Sequence, residues 1–492
     1  MTIPSSQPNH NDDIYYPNDI RIHDVSITVG GEIFDVQRLL LQLNLFEDLY
    51  SNVLSGSITL VDAVNLIGNA PFVGQEKLNL VFETPGFPAA REVNLEFDIY
   101  KVSDRNTGSA GDLTDTTQTY TLHFVSNAYF SNKQNRIRQA YKNVRISDMV
   151  KTIGAQVGMD IAAEPTTGTQ SFIIPGWHPF YAINWLANRA RPATNPNAAN
   201  YFFFETLDGF NFISLNHMVT RKPDIKYVYD VANLRLLPNT AASAAKSGND
   251  RQIIPEIRLM RSYQVIESGT TLDRVDSGMY ASKLITHDLV KKQFCTHDFA
   301  YQQNFKKLQH IEDFQSDDQG KRIEQDAKPF AGSSKHGDKT EAAVRFYPKH
   351  SFMFDGVRDH DESQKWLLQR MSQIKAIEQL RLRVELPGDS NRRVGDVVIV
   401  EVPRPEFIKG SNYPDNRDPN ISGNYIITNI HHIIELDNHR MVMELSKESL
   451  PPTSNESVID KQDFATGLFG GALSALSDKL NSGAVLLKNI FK

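Results

Sequence analysis

The chain has 492 residues, 40% of them hydrophobic and 10% aromatic, and its 52 Lys and Arg against 59 Asp and Glu leave a net charge of -7. That length exceeds what one hydrophobic core serves, so several domains are expected, and the mildly acidic balance argues against a general nucleic-acid-binding surface. The single cysteine, Cys295, excludes an internal disulfide framework and a Cys-rich zinc site.

Met1 to Asn18 is polar and rich in Pro and Asn, a flexible arm without the apolar core of a secretory signal. No uncharged apolar run is long enough to cross a bilayer, so the expectation is a soluble protein made in a reducing cytoplasm, without stable membrane insertion. Ile20 to Val29 alternates and meets Gly30-Gly31, a two-residue hairpin signal, before Glu32 to Val36. Further strands are expected at Ser55 to Asp62, Val73 to Glu83, Phe97 to Val102 and Tyr120 to Val125, giving an all-β module over 19–130. Within it, Asn106 to Thr119 is of low complexity and predicts a long loop.

From Lys133 the period changes. Met149, Val150, Ile153 and Val157 fall at helical spacing after Ser147, a candidate N-cap, and a second helix starts at Pro179. Asp208-Gly209 joins two apolar runs as a type I′ hairpin would. Two helices and a hairpin predict a small α+β domain over 131–238, followed by an Ala/Ser/Asn-rich connector at 239–256.

Strands return at 257–304, where Ser277-Gly278-Met279-Tyr280 running to His287-Asp288 echoes Ser55-Gly56-Ser57-Ile58 running to Asp62. Residues 305–378 read as an insertion: a charged surface excursion from Phe305 to Asp355, then a helix over Asp361 to Glu378 with Trp366, Leu367, Met371, Ile374 and Ile377 on one face. Residues 379–452 complete a second β-module, and 453–492 form a tail with two apolar stripes. The tail reads equally as a helix on its own domain or as a segment that folds on a partner chain.

The two modules share a phrase. Val73-Gly74-Gln75-Glu76 and Val394-Gly395-Asp396-Val397 each open a strand that stops at a proline, Pro85 or Pro403, and each is followed by a strand pair. Such duplication lets one polypeptide supply two equivalent positions around an axis.

Catalytic motifs are missing: the sequence has no His-Glu-x-x-His pair, Gly-x-Ser-x-Gly elbow or Gly-x-x-x-x-Gly-Lys loop. His431 and His432 are adjacent and on a strand point to opposite faces, which forbids joint chelation. Cys295 and His297 share a strand face near His287, yet two ligands do not make a zinc site. Asp317-Asp318 and Asp359, Asp361 and Glu362 read as solvated loop charges. Arg404, Lys409 and Arg417 alternate with Phe407 and Tyr413, but Glu406, Asp415 and Asp418 offset them, so this loop reads as a protein-docking element. No catalytic, cofactor-binding or metal-binding residue is assigned, and no enzyme activity or cofactor is expected.

The runs Leu45-Phe46-Glu47-Asp48-Leu49-Tyr50, Ser55-Gly56-Ser57-Ile58 and Asp62 resemble the first barrel of baseplate hub proteins from contractile-tailed bacteriophages. Val394-Gly395-Asp396-Val397, Ser422 to Ile427 and Leu445 to Leu450 resemble the second, so the likeness covers most of residues 19 to 452, leaving out the insertion from Phe305 to Asp355 and the tail after Pro452. It implies two similar tube-type β-barrel domains beside the small α+β domain and a C-terminal helical tail. It also implies a homotrimer whose six barrels meet a sixfold tail tube or tube initiator on one face and a threefold central spike on the other. Tape-measure and baseplate wedge proteins are further implied neighbours, the location is the tail baseplate of a virion, and DNA passes through a mildly acidic lumen. No β-helical repeat follows Pro452, so the spike is expected as a separate protein. Two alternatives stay open: the hub of a bacterial contractile injection system that delivers protein, and a tail-associated cell-wall hydrolase with a dyad in the α+β domain.

Overall fold

Period-two alternation is visible directly in burial: along Ser55–Asp62 every second residue, from Gly56 to Asp62, is buried and its neighbours are half exposed. The computed structural model describes residues 17–69, 72, 74–85, 91–107, 117–223, 225–229, 257–268, 270–316, 322–330, 337, 339–349, 362–403, 417–418 and 420–452. The expected connector, most of the low-complexity run and the tail, with its expected helix, lie outside the described residues. Within them the protein is mainly β with a smaller α+β portion, as the sequence predicts.

The first seven strands are β1 (Arg21–Val29), β2 (Glu32–Asp35), β3 (Leu40–Asp48), β4 (Ser55–Asp62), β5 (Lys77–Glu83), β6 (Val93–Thr107) and β7 (Gln118–Ser126). They pair antiparallel in the order β3-β4-β7-β6-β5-β1-β2. Gly30 and Gly31, at φ 60° and 92°, make the expected turn, with Val29 opposite Glu32. Ile27, Leu45, Ile58, Leu80, Phe97, Leu122 and Phe124 fill the core beneath this sheet.

The α+β portion follows, with β8 (Ile137–Val144), β9 (Ile161–Ala163), β10 (Gln170–Trp177), β11 (Tyr201–Thr206) and β12 (Gly209–Ser214). Its two longer helices are α1 (Ile146–Gln156) and α2 (Pro179–Ala187), the latter opening on its proline as expected. Ser147 is not the cap of α1. Arg145 holds the cap position, and the buried Ser147 donates its backbone N–H to Thr166 Oγ1 at 3.0 Å, a hydroxyl brought from a distant loop. The β11–β12 turn also differs: Thr206 faces Gly209, so Leu207 and Asp208 are its central residues. Neither has positive φ, which excludes type I′; the Thr206 hydroxyl accepts from the Asp208 N–H at 3.3 Å and holds the turn instead.

Next come β13 (Lys226–Val228), β14 (Ser262–Ser268), β15 (Ala281–Asp288), β16 (Gln293–Ala300), β17 (Phe314–Ser316), β18 (Arg322–Glu324) and β19 (Val344–Lys349). β15 pairs with β16 and β19 in a three-stranded sheet of its own, so Ser277 to Asp288 is not the counterpart of Ser55 to Asp62. The same dipeptide does another job here. Ser277 caps the short helix Thr271–Asp276, and Gly278, at φ 79°, turns the chain out of it.

The beginning of the expected surface excursion is buried at Phe305, His310, Ile311 and Glu312. Lys447 and Glu448 end a core strand, and their buried charges need partners, which Glu312 and His310 supply.

The third long helix, α3 (Ser363–Ile377), buries Trp366, Leu368, Ser372, Ala376 and Ile377, leaving Leu367, Met371 and Ile374 of the expected face half exposed. The last strands are β20 (Leu380–Pro387), β21 (Val397–Glu401), β22 (Gly423–Glu435) and β23 (Asn438–Lys447). They continue the large sheet as β14-β20-β23-β22, with β21 on β22 and β13 on β21.

Gly56 tests the packing. A Cβ there would lie 2.2 Å from the Asn44 carbonyl oxygen and 2.4 Å from the Phe124 ring. Gly56→Ala is expected to lower stability by about 1–3 kcal/mol, read as a lower urea midpoint with the β-sheet circular dichroism retained.

Candidate functional site

The strand order of the large sheet repeats. The run β3-β4-β7-β6-β5-β1 is matched, neighbour for neighbour, by β14-β20-β23-β22-β21-β13. Only the last pair differs, β5–β1 being antiparallel and β21–β13 parallel. The match reaches single hydrogen bonds: Ile99 N–H donates to the Glu76 carbonyl at 3.0 Å, and Ile427 N–H to the Asp396 carbonyl at 2.9 Å. Directly after these residues both long strands bulge, between Ile99 and Lys101 and between Ile427 and Asn429.

The two copies are fused at one seam. Beyond its bulge, β22 leaves β21 and pairs with β3, from Asn429 opposite Asp48 to Ile434 opposite Leu43. Leu49 N–H donates to the bulged Thr428 carbonyl at 2.9 Å. On the outer face His431 stacks on Phe46, ring centroids 4.3 Å apart, and its Nε2 lies 2.9 Å from Asn44 Oδ1. A second tie is reciprocal and buried: Thr84 N–H donates to Ser390 Oγ at 3.0 Å, and Ser390 N–H to Thr84 Oγ1 at 2.9 Å.

The equivalent of this seam stands open. On β6, pairing with β5 stops at Asp98, and past the bulge that edge meets no strand among the described residues. β14 likewise pairs only with β20. Apolar side chains sit exposed along both edges, with Tyr100 at 52%, Val102 at 37%, Val265 at 38% and Ile266 at 37%. Unpaired edges of this kind are templates for another strand.

Under the seam lies a buried polar row. His432 Nδ1 is 3.1 Å from His439 Nε2, and His432 Nε2 is 3.6 Å from Glu47 Oε1. Burial raises Glu47 to about 8 and lowers His432 to about 3, so at neutral pH this is a contact between neutral groups and not an ion pair. Sequence reasoning placed Glu47 in a motif but had no local signal for its burial or for the distant groups that partly offset it, the Arg393 charge and hydrogen bonds to the Val394 and Leu207 backbone.

The other candidates do not converge. His431 and His432 point to opposite faces, as expected. Cys295 is exposed on β16, and His287 stacks on Phe294 at 4.0 Å. Glu362 pairs with Arg191 at 2.6 Å and Lys365 at 2.7 Å, and Arg417 pairs with Glu401 at 2.6 Å. Asp418 accepts from the N–H groups of Asn420 and Ile421. Asp317, Asp318, Asp359, Asp361, Arg404, Glu406, Phe407, Lys409, Tyr413 and Asp415 lie outside the described residues. Among the described residues no three His, Cys, Asp or Glu side chains are grouped to hold a metal.

The geometry defines a class, a mainly β protein with one strand motif used twice and two complementary open edges. Comparison with known proteins then gives a name to the likeness. The chain is 22% identical over 423 residues to the probable baseplate hub protein of Vibrio phage KVP40, covering 84% of this chain and 91% of that protein. The resemblance to phage baseplate hub proteins read from the sequence therefore has a curated counterpart. Among solved structures, a tail protein from Neisseria meningitidis MC58 matches at TM-score 0.48 and 11% identity, covering 86% of this chain and 96% of that one. The 43 kDa tail protein of prophage MuSo2 from Shewanella oneidensis matches at TM-score 0.46 and 9% identity, covering 86% and 98%. No protein-family model matches the chain.

The seam chemistry predicts a pH signature. Glu47 is held protonated in the fold up to about pH 8 but ionises near 4.5 when exposed. Its contribution is complete below 4.5 and is lost as pH rises through 8, with a slope of up to about 1.4 kcal/mol per pH unit. Glu47→Gln should flatten urea-derived stability relative to the parent protein between about pH 4.5 and 8, the window in which only the unfolded chain has lost the proton.

Proposed function

We propose that this chain is a structural baseplate hub subunit of a contractile phage tail or a related injection machine, and that three copies close a ring. The observation that carries the ring is the in-chain seam of β22 on β3, whose equivalent edges on β6 and β14 have no partner among the described residues. In the ring, β6 of one chain adds to β14 of the next as β22 adds to β3 within the chain. Each interface is then heterologous, and seams within and between chains alternate six times around a threefold axis.

The likeness to a probable baseplate hub protein supports placing this ring at a tail baseplate. Residues 19–130 are taken as one tube-type barrel and β13, β14 and β20 to β23 as the other, with 131–223 as the α+β domain; β15 and β16, expected in the second barrel at 257–304, pair in a sheet of their own. Six similar barrels would face a sixfold tube, the threefold face would receive a separate spike protein, and DNA would pass through the lumen. The role is structural, without catalysis.

Mass photometry tests the ring. The protein alone is expected at three times 55.5 kDa, and with its spike partner at that mass plus the mass of the spike. Val102→Glu and Val265→Glu should each weaken assembly by at least about tenfold by placing a charge on an edge meant for pairing. A parent protein that stays monomeric with and without the spike protein would overturn the proposal.

A further inference from the structure

Away from the seam, a groove of about 520 Å³ runs along α3, walled by Trp366, Leu367, Met371 and Ile374. Four cationic residues, Arg189, Arg345, Arg370 and Lys375, also line it, and among the described residues no Asp or Glu does. Its size is that of a site for a small molecule or a short peptide segment. The half-exposed apolar side chains of α3 that the sequence assigns to a core face are its wall.

Arg370 is the informative member. Its Nη1 donates to three backbone carbonyls, of Tyr201 at 3.0 Å, Ala187 at 3.2 Å and Ala199 at 3.5 Å. Those bonds fix the plane of the guanidinium, while Nε and Nη2 make no hydrogen bond to any described residue. Burial lowers its pKa to about 10. Arg189 is held rigid beside it, its guanidinium carbon 3.5 Å from the Trp185 ring centroid and 4.7 Å from that of Trp366. Lys375, at the rim, forms an exposed pair with Glu378 at 3.2 Å.

A guanidinium fixed on one side and open on the other suits two-point recognition of a carboxylate. The apolar wall next to it suits a Leu- or Phe-like side chain beside that carboxylate. A nucleic-acid backbone would instead need a track of cations with stacking faces, and this groove offers a short cluster with one aromatic wall. We propose that the α3 groove is a docking site for an acidic, apolar segment of a partner protein, with Arg370 receiving its carboxylate.

Calorimetric titration of the full chain with acetyl-Leu-Asp-Phe-Leu-amide and its Asn counterpart tests this, with inorganic phosphate as a third titrant. The Asp peptide is expected to bind at least tenfold more tightly than the Asn peptide. Arg370→Lys keeps the charge but loses the fork, and should remove most of that preference. Because Arg370 also ties three carbonyls, Met371→Glu serves as a second variant: it places a carboxylate in the groove without touching those bonds, and should abolish peptide binding. No binding of either peptide, equal binding of both, or binding unaffected by Met371→Glu would each overturn the proposal. So would phosphate binding at this groove more tightly than the Asp peptide.

Discussion

An unpaired strand edge exposes a row of N–H and C=O groups, and a chain that repeats one strand motif acquires such edges in sets. Here the repeat creates two long bulged strands, β6 and β22, and two receiving strands, β3 and β14. The ladder of β22 on β3 satisfies one of each within the chain. It joins the two copies into one continuous sheet, and it leaves behind one open edge of each kind. In the proposed ring, copies of the chain satisfy these by meeting head to tail, the geometry from which closed rings are made.

The bulges matter to this arrangement. A strand paired along both edges within its own copy would have no edge to offer. Each long strand keeps β7 or β23 along one edge, while on the other its first half pairs with β5 or β21 and, past the bulge near Ile99 or Ile427, its second half leaves that neighbour, in β22 for β3. The seam's register is then fixed by side chains, because a one-residue slip would exchange the faces of His431 and His432. His431 would lose its stack on Phe46, and the fully buried His432 would enter solvent. The polar row of Glu47, His432 and His439 contributes to that register without forming an ion pair at neutral pH, since burial keeps all three neutral.

The parts of this fold that are local in sequence were legible. Alternation located most of the strands, Gly30-Gly31 located a hairpin, and the two Val-Gly turns exposed the duplication. Features that depend on distant residues were not. The first turn of α1 is satisfied by Thr166, so Ser147 only looked like its cap. Ser277-Gly278 imitates Ser55-Gly56, yet one ends a helix and the other lies within a strand against Phe124. β14, the true counterpart of β3, shares no phrase with it and is recognisable only by its place beside β20. The candidate site suffered most: nothing local marks Glu47 or Arg370, whose partners lie on segments more than a hundred residues away.

The central claim is that the seam within one chain is the pattern for the seam between chains. A cryo-electron microscopy map of the protein in solution tests it most directly. The account predicts a closed threefold ring in which β6, beyond its bulge at Tyr100, is hydrogen-bonded antiparallel to β14 of the next chain. A map in which chains associate through other surfaces, with these two edges left in solvent, would contradict it.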